Sequence, residues 1–251
     1  MRPASEKPLL EAVILDMDGV ITRTATLHAR AWQRVFDEYL AKRGSRAGES
    51  AAPFDIEADY LEYVDGKLRY DGVRSFLNAR GIELPDGMPD DPPTAETYCG
   101  LGNRKNALFH ELLSAQGVEA YEDTLECLAD WQRQGFRLAA ISSSRNCREI
   151  LQAAGVLEFF EVIVDGKDLE RLGLPGKPAP DIFLRAAAEL GVEAERAVVI
   201  EDALSGVKAA RAGGFGLAVG LARHGNAEDM KRQGAHLVID DLRKLSIRKA
   251  C

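Results

Sequence analysis

The sequence predicts an α/β protein: a Rossmann-like parallel-sheet core with an α-helical domain inserted after the first strand. Three observations carry that prediction. The apolar run Ala12–Leu15 has strand length and ends in Asp16-Met17-Asp18-Gly19, as a buried strand ending in a turn does. From residue 26 to 117 only helical patterns and loops follow. From residue 123 onward, short apolar runs alternate with helices of about ten residues, the mark of βαβ units.

The elements follow in chain order. Residues 26–43 read as an amphipathic helix, with Leu27, Ala31, Val35 and Leu40 near helical spacing and Trp32, Phe36 and Tyr39 beside them. Gly44–Gly48 stops it. Residues 57–64 and 69–80 read as two further helices, the second ending at Gly81. Leu84–Pro93 is a proline-rich acidic loop, and 94–116 is helical up to Gly117. Helices are then expected at 123–134, 146–154, 180–190 and 205–212. Strands are expected at Phe136–Ile141, Glu161–Val164, Ala197–Ile200 and Phe215–Val219, with a last weak unit from 226 to Val238-Ile239. The expected domains are 1–25 and 118–251 for the core and 26–117 for the insertion.

The 251 residues, 46% apolar, suffice for a sizeable core. A net charge of −8 argues against nucleic acid, which needs a basic face. Cys99, Cys127, Cys147 and Cys251 show no metal-ligand spacing and read as reduced thiols. Met1–Pro8 has no signal-peptide pattern, and no window reaches the roughly 18 apolar residues of a membrane helix. A soluble, cytoplasmic, monomeric protein without a membrane partner is expected.

The chemistry gathers at strand ends, where open α/β sheets bind ligands. Asp16 and Asp18 lie two apart, so they face one way if the strand continues through them. Alone they are an acidic turn or half of a cation site; hard cations such as Mg²⁺ take oxygen ligands. Ser142-Ser143-Ser144-Arg145-Asn146 opens a helix. It is either an anion site or a serine N-cap. Lys177 sits between Gly176 and Pro178, a rigid loop that projects either a solvated charge or a site lysine. Glu201-Asp202 is a second acid pair, with an N-cap as its plainer reading. Together these groups suit phosphoryl transfer. A carboxylate is the nucleophile and a divalent cation offsets charge. A hydroxyl and a lysine hold phosphoryl oxygens, and a second acid moves the proton.

With Asp16-Met17-Asp18-Gly19, Ser142, Lys177 and Glu201-Asp202 in this order, the chain resembles the haloacid dehalogenase superfamily of phosphotransferases along nearly its whole length. The resemblance implies Asp16 as nucleophile and Asp18 as general acid/base. It implies Mg²⁺ on Asp16, the Asp18 backbone carbonyl and Asp202, with Glu201 contributing directly or nearby. Ser142 and Lys177 would hold the phosphoryl group, and the insertion takes the place of the family's small cap domain.

Within the superfamily the closer resemblance is to the β-phosphoglucomutase family. It rests on Gly19-Val20-Ile21-Thr22, Thr24-Ala25, His28 with Ala31-Trp32, the Ser-x-Ser-basic-Asn segment at 142–146, and Lys177-Pro178-Ala179-Pro180-Asp181-Ile182-Phe183. Gly66 and Arg69 resemble that family's distal-phosphate motif, and Arg104-Lys105-Asn106 its substrate-facing lysine. The implied substrate-binding set is His28, Arg69, Lys105, Ser144, Arg145 and Asn146.

The plainer reading of Arg69 and Lys105 is solvated helix surface, and His28 is either a buried or capping histidine or a gate on Asp18. Gly72 departs from the pattern where a hydroxyl residue is usual, and Arg23 where an acid is frequent. The expected activity interconverts β-glucose 1-phosphate and glucose 6-phosphate, with a sugar phosphate as partner and glucose 1,6-bisphosphate as intermediate and activator. The rivals are a sugar-phosphate phosphatase and a non-enzymatic phosphometabolite sensor. The segments near Thr22–Thr26 and Gly117–Tyr121 are the expected hinges.

Overall fold

A computed structural model describes residues 9–47, 52–223 and 225–249. Met1–Pro8, the Gly48 of the helix stop and Cys251 lie outside the described residues. The chain divides into two compact units, one running from Thr24 to Val118 and the other made of the chain before and after it.

The second of these holds a six-stranded parallel sheet. Its strands are β1 (Ala12–Asp16), β2 (Arg137–Ile141), β3 (Val162–Val164), β4 (Ala197–Glu201), β5 (Leu217–Leu221) and β6 (Leu237–Ile239). The order is β3-β2-β1-β4-β5-β6. The chain runs outward from β1 to β3 and then crosses to β4 on the other side of β1. The strand order therefore reverses between β1 and β4, the point where such sheets bind ligands. β1 and β4 are buried throughout, which accounts for their unbroken apolar runs. Register does the rest. Asp16 pairs with Ile141 and Leu15 with Ile200, so Ser142 and Glu201 leave their strands beside Asp16.

The helical unit contains α1 (Ala25–Ala47), a π-helical turn at Tyr60–Val64, α2 (Arg69–Ala79) and α3 (Tyr98–Gln116). α1 packs along α3. Ring stacking builds its core: Phe36 lies 5.2 Å from Trp32, 5.3 Å from Phe54 and 4.2 Å from Phe76. Gly72 faces this core. A Cβ there would sit 3.3 Å from Trp32, so the indole fills the space that a hydroxyl side chain would need.

The sheet unit adds α4 (Glu122–Arg133), α5 (Cys147–Ala153), α6 (Gly166–Leu172), α7 (Asp181–Leu190), α8 (Leu204–Ala212) and α9 (Ala227–Arg232). Five expectations need correction. The helix expected at 26–43 runs to Ala47. That expected at 57–64 is only the π-helical turn. That expected at 94–116 begins at Tyr98, because Thr97 caps it by accepting from the Gly100 amide at 2.9 Å. The strand expected at Phe215 begins at Leu217, because Phe215 packs edge-on against Phe183, 6.0 Å away. Helix α6 was not anticipated, although Asp165 and Asp168 form a capping box at its start. Among the described residues no helix is long and apolar enough to cross a membrane. Cys99 and Cys147 are buried and Cys127 half-buried, all as free thiols.

Candidate active site

The backbone turns immediately after Asp16. Ile21 and Thr22 both donate to the Met17 carbonyl at 2.9 Å, and Gly19 donates to Thr22 at 2.8 Å. Asp16 is the last residue of β1 and Asp18 is already in the turn, so strand alternation does not govern their relation. Their side chains have different partners. Asp18 accepts from the Ser142 hydroxyl at 3.1 Å, whereas Asp16 accepts from the Lys177 ammonium at 2.5 Å.

Lys177 is not a solvated charge. Its side chain is 1% exposed and bridges Asp16 and Glu201. Burial pulls its pKa down, but the two carboxylates outweigh burial and hold the proton on above the ordinary lysine range. Burial pushes the Asp16 carboxyl well up. Lys177 opposes that shift, while Glu201 and Asp18 add to it.

Glu201 ends β4 with both oxygens engaged: one accepts from Lys177, the other from the Ala203 amide at 2.7 Å. Carboxylate oxygens of Asp16, Glu201 and Asp202 lie within 4.8 Å of one another. Asp18 adds a fourth acid close to Asp16. This surplus of hard oxygen donors fits a divalent cation such as Mg²⁺.

Two glycines make room for the acids. At Gly19 (φ +84°) a Cβ would lie 1.9 Å from Asp202 Oδ2, and at Gly206 it would lie 1.7 Å from Glu201 Oε1. Gly206 was missed in the sequence, where a glycine inside the expected helix 205–212 was the available signal. Gly206→Ala is expected to push Glu201 off Lys177. It should lower stability by about 1–3 kcal/mol and phosphoryl transfer by roughly 10²-fold; thermal melts and steady-state rates check both.

Ser142 also accepts from the Ser144 amide at 3.0 Å, and Ser144 Oγ from the Asn146 amide at 3.2 Å. These are serine turns leading into α5. The Ser142 hydroxyl thus orders its own loop and touches Asp18. Arg145 pairs with Glu170 of α6 at 3.4 Å, and Asn146 is buried at the start of α5.

His28, Arg69 and Lys105 belong to the helical unit, where Lys105 pairs with His28 and Arg69 with Asn106. Lys105 is 5% exposed, which rules out solvated surface for it. Its ammonium lies 2.5 Å from His28 Nδ1 and over the Trp32 and Phe109 rings at 4.9 and 5.1 Å. His28 stacks on Phe109 at 4.1 Å. Arg69 donates to Asn106 Oδ1 at 2.8 Å, tying the start of α2 to α3.

A parallel sheet with carboxylates, a lysine and a hydroxyl at its switch point defines an α/β enzyme fold with a candidate site whose chemistry suits an anionic group beside a cation. Residues 10–214 match the model of the haloacid dehalogenase-like hydrolases, and the chain belongs to that family. Within it, the chain is similar to β-phosphoglucomutases. It is 50% identical over 239 residues to the β-phosphoglucomutase of Mycobacterium tuberculosis (strain CDC 1551 / Oshkosh), covering 94% of this chain and 91% of that one. It is 32% identical over 239 residues to that of Bacillus subtilis (strain 168), covering 95% and 92%. The crystal structure of β-phosphoglucomutase from Clostridium difficile superposes with a TM-score of 0.73 at 25% identity, covering 95% of this chain and 94% of that chain. Relatedness over nearly the full length supports phosphoryl transfer as the chemistry of this chain.

Proposed function

We propose that the protein is a Mg²⁺-dependent phosphoglucomutase that interconverts β-glucose 1-phosphate and glucose 6-phosphate in the cytoplasm, as a monomer. The observation that carries the reading is the buried Asp16–Lys177–Glu201 bridge at the switch point, with the Asp18–Ser142 pair beside it. An Asp16 oxygen attacks phosphorus, and the bond from phosphorus to the sugar oxygen breaks. Asp18 gives that oxygen its proton, and takes one from the sugar hydroxyl when the phosphoryl group is returned.

The Ser142 hydroxyl and Lys177 ammonium hold phosphoryl oxygens as charge redistributes. Asp16, Asp202 and the Asp18 carbonyl would hold Mg²⁺, with Glu201 beside them fixing Lys177. Bound Mg²⁺ would offset the negative charge of nucleophile and phosphate. Arg69 is proposed for the phosphate that is not being transferred, since guanidinium takes phosphate through two parallel hydrogen bonds. Lys105 with His28, and Ser144, Arg145 and Asn146, complete the proposed substrate set. The helical insertion, residues 26–117, is proposed as the cap.

The test incubates pure protein and Mg²⁺ with α- or β-glucose 1-phosphate and a trace of glucose 1,6-bisphosphate. Glucose 6-phosphate from the β anomer alone is expected. Free phosphate as the main product would replace the mutase by a sugar-phosphate phosphatase. Arg69→Ala is expected to cost isomerisation about 10²-fold or more, with hydrolysis of a small phosphate ester less affected.

A further inference from the structure

A buried acid, a largely enclosed arginine and the departure at Arg23 meet behind the catalytic turn, and the phosphotransfer chemistry uses none of them. Asp123, in the first turn of α4, is 4% exposed. Its two oxygens receive the two terminal nitrogens of Arg223 at 2.9 Å each, a fork-to-fork pair. The same carboxylate accepts from the Leu242 amide at 2.8 Å. The guanidinium Nε donates to the Gly19 carbonyl at 3.2 Å, and a terminal nitrogen donates also to the Thr124 hydroxyl at 3.3 Å. The neighbouring Thr124 hydroxyl donates to the Val20 carbonyl at 2.7 Å. Arg223 lies over the Tyr121 ring at 3.8 Å and Arg23 over the same ring at 4.3 Å. Around them the two segments expected as hinges pair with each other: Tyr121 donates to Ile21 at 3.0 Å and Arg23 to Glu119 at 2.9 Å.

Stability alone does not explain this cluster. A buried ion pair gains little over apolar residues of the same volume, because desolvation offsets its attraction. What apolar residues could not supply is a fixed donor at the Gly19 carbonyl. Gly19 has a positive φ of +84°, and Asp202 fills the space a Cβ would need there. Holding the Gly19 and Val20 carbonyls fixes the peptides that follow Asp18.

We infer that Arg223, oriented by Asp123 and Tyr121 and assisted by Thr124, is a positioning residue for phosphoryl transfer: it clamps the Gly19–Val20 turn and so fixes Asp18 and the backbone carbonyl that Asp18 presents to a cation. The inference rests on the phosphotransfer reading of Asp16 and Asp18.

Arg223→Lys tests it, since lysine keeps the charge but loses the fork and Nε. Thr124→Val removes the hydroxyl that donates to the Val20 carbonyl and accepts from Arg223 at 3.3 Å, and it serves if the first variant does not fold. In folded variants, Mg²⁺ binding measured by calorimetry without substrate is expected to weaken about 10-fold for Arg223→Lys and several-fold for Thr124→Val. The kcat should fall about 10–100-fold in Arg223→Lys, with KM for the sugar phosphate within about twofold. Mg²⁺ affinity within about twofold of the parent in the folded variants would overturn the inference, leaving a structural ion pair. If the parent protein fails to isomerise β-glucose 1-phosphate, the mutase reading fails, and Mg²⁺ binding still reads the clamp.

Discussion

Asp16→Asn is expected to fold and to lose phosphoryl transfer by at least ~10⁴-fold, because the amide cannot act as the nucleophile that the aspartyl-phosphate route requires. Its stability should move the other way. Asp16 is buried beside Glu201 and Asp18, and burial first, then those acids, push its carboxyl above the ordinary 3.8 against the pull of Lys177. The sign follows from linkage. A carboxyl whose folded pKa is raised binds its proton more tightly in the fold than in the unfolded chain. Stability without divalent cation therefore falls as pH rises from the ordinary value through the raised one. The asparagine side chain carries no such charge, so the variant should match or exceed the parent at neutral pH without Mg²⁺, by about 1 kcal/mol. Added Mg²⁺ should stabilise the parent more than the variant. Thermal melts with and without Mg²⁺, beside rates of phosphate release, read all three. Parental turnover in Asp16→Asn would remove the catalytic reading.

How much of the site the sequence disclosed depends on how local each signal is. Asp16 was legible because four apolar residues and a glycine bracket it within one strand and turn. The sheet was legible because a strand buried on both faces has to be an unbroken apolar run, as in β1 and β4. The relation between Asp16 and Asp18 was not, since the backbone already turns at Met17, whose carbonyl takes two amides.

Lys177 was ambiguous for another reason. A lysine between prolines and glycines looks solvated, and its burial depends on acids 161 and 24 residues away. Lys105 is alike: its partner His28 is 77 residues earlier, and only the packing of α1 on α3 joins them. Phe215 misled because an apolar residue before a strand can serve a helix contact instead. Gly206 and the Arg223–Asp123 pair carry no local signature of the groups they serve. Their meaning comes from what stands opposite in three dimensions.

Lys177→Met should have the largest effect on stability of any single change at this site. Methionine preserves the length and apolar body of the side chain, whose ammonium end lies 5.5 Å from the Phe183 ring centroid, so little packing is lost. What is lost is the one ammonium between two buried carboxylates, since Asp16 and Glu201 are 7% and 1% exposed at their side chains. Removing one partner from a buried ion pair costs about 3–5 kcal/mol, because a charge is left uncompensated. At this chain length that is a fall of about 10 °C in Tm. Two controls separate charge from packing. Adding Glu201→Gln to Lys177→Met should return about 1–3 kcal/mol, since it removes one of the two acids left facing each other. Millimolar Mg²⁺ should raise the Tm of Lys177→Met more than that of the parent, a cation taking over the role of the ammonium. Activity should stay lost in both, by about 10³-fold or more, because neither control restores a donor to the transferring phosphoryl oxygens. A Tm within about 2 °C of the parent would mean that the bridge does not hold the acids together, and that their closeness is set by the strand ends alone.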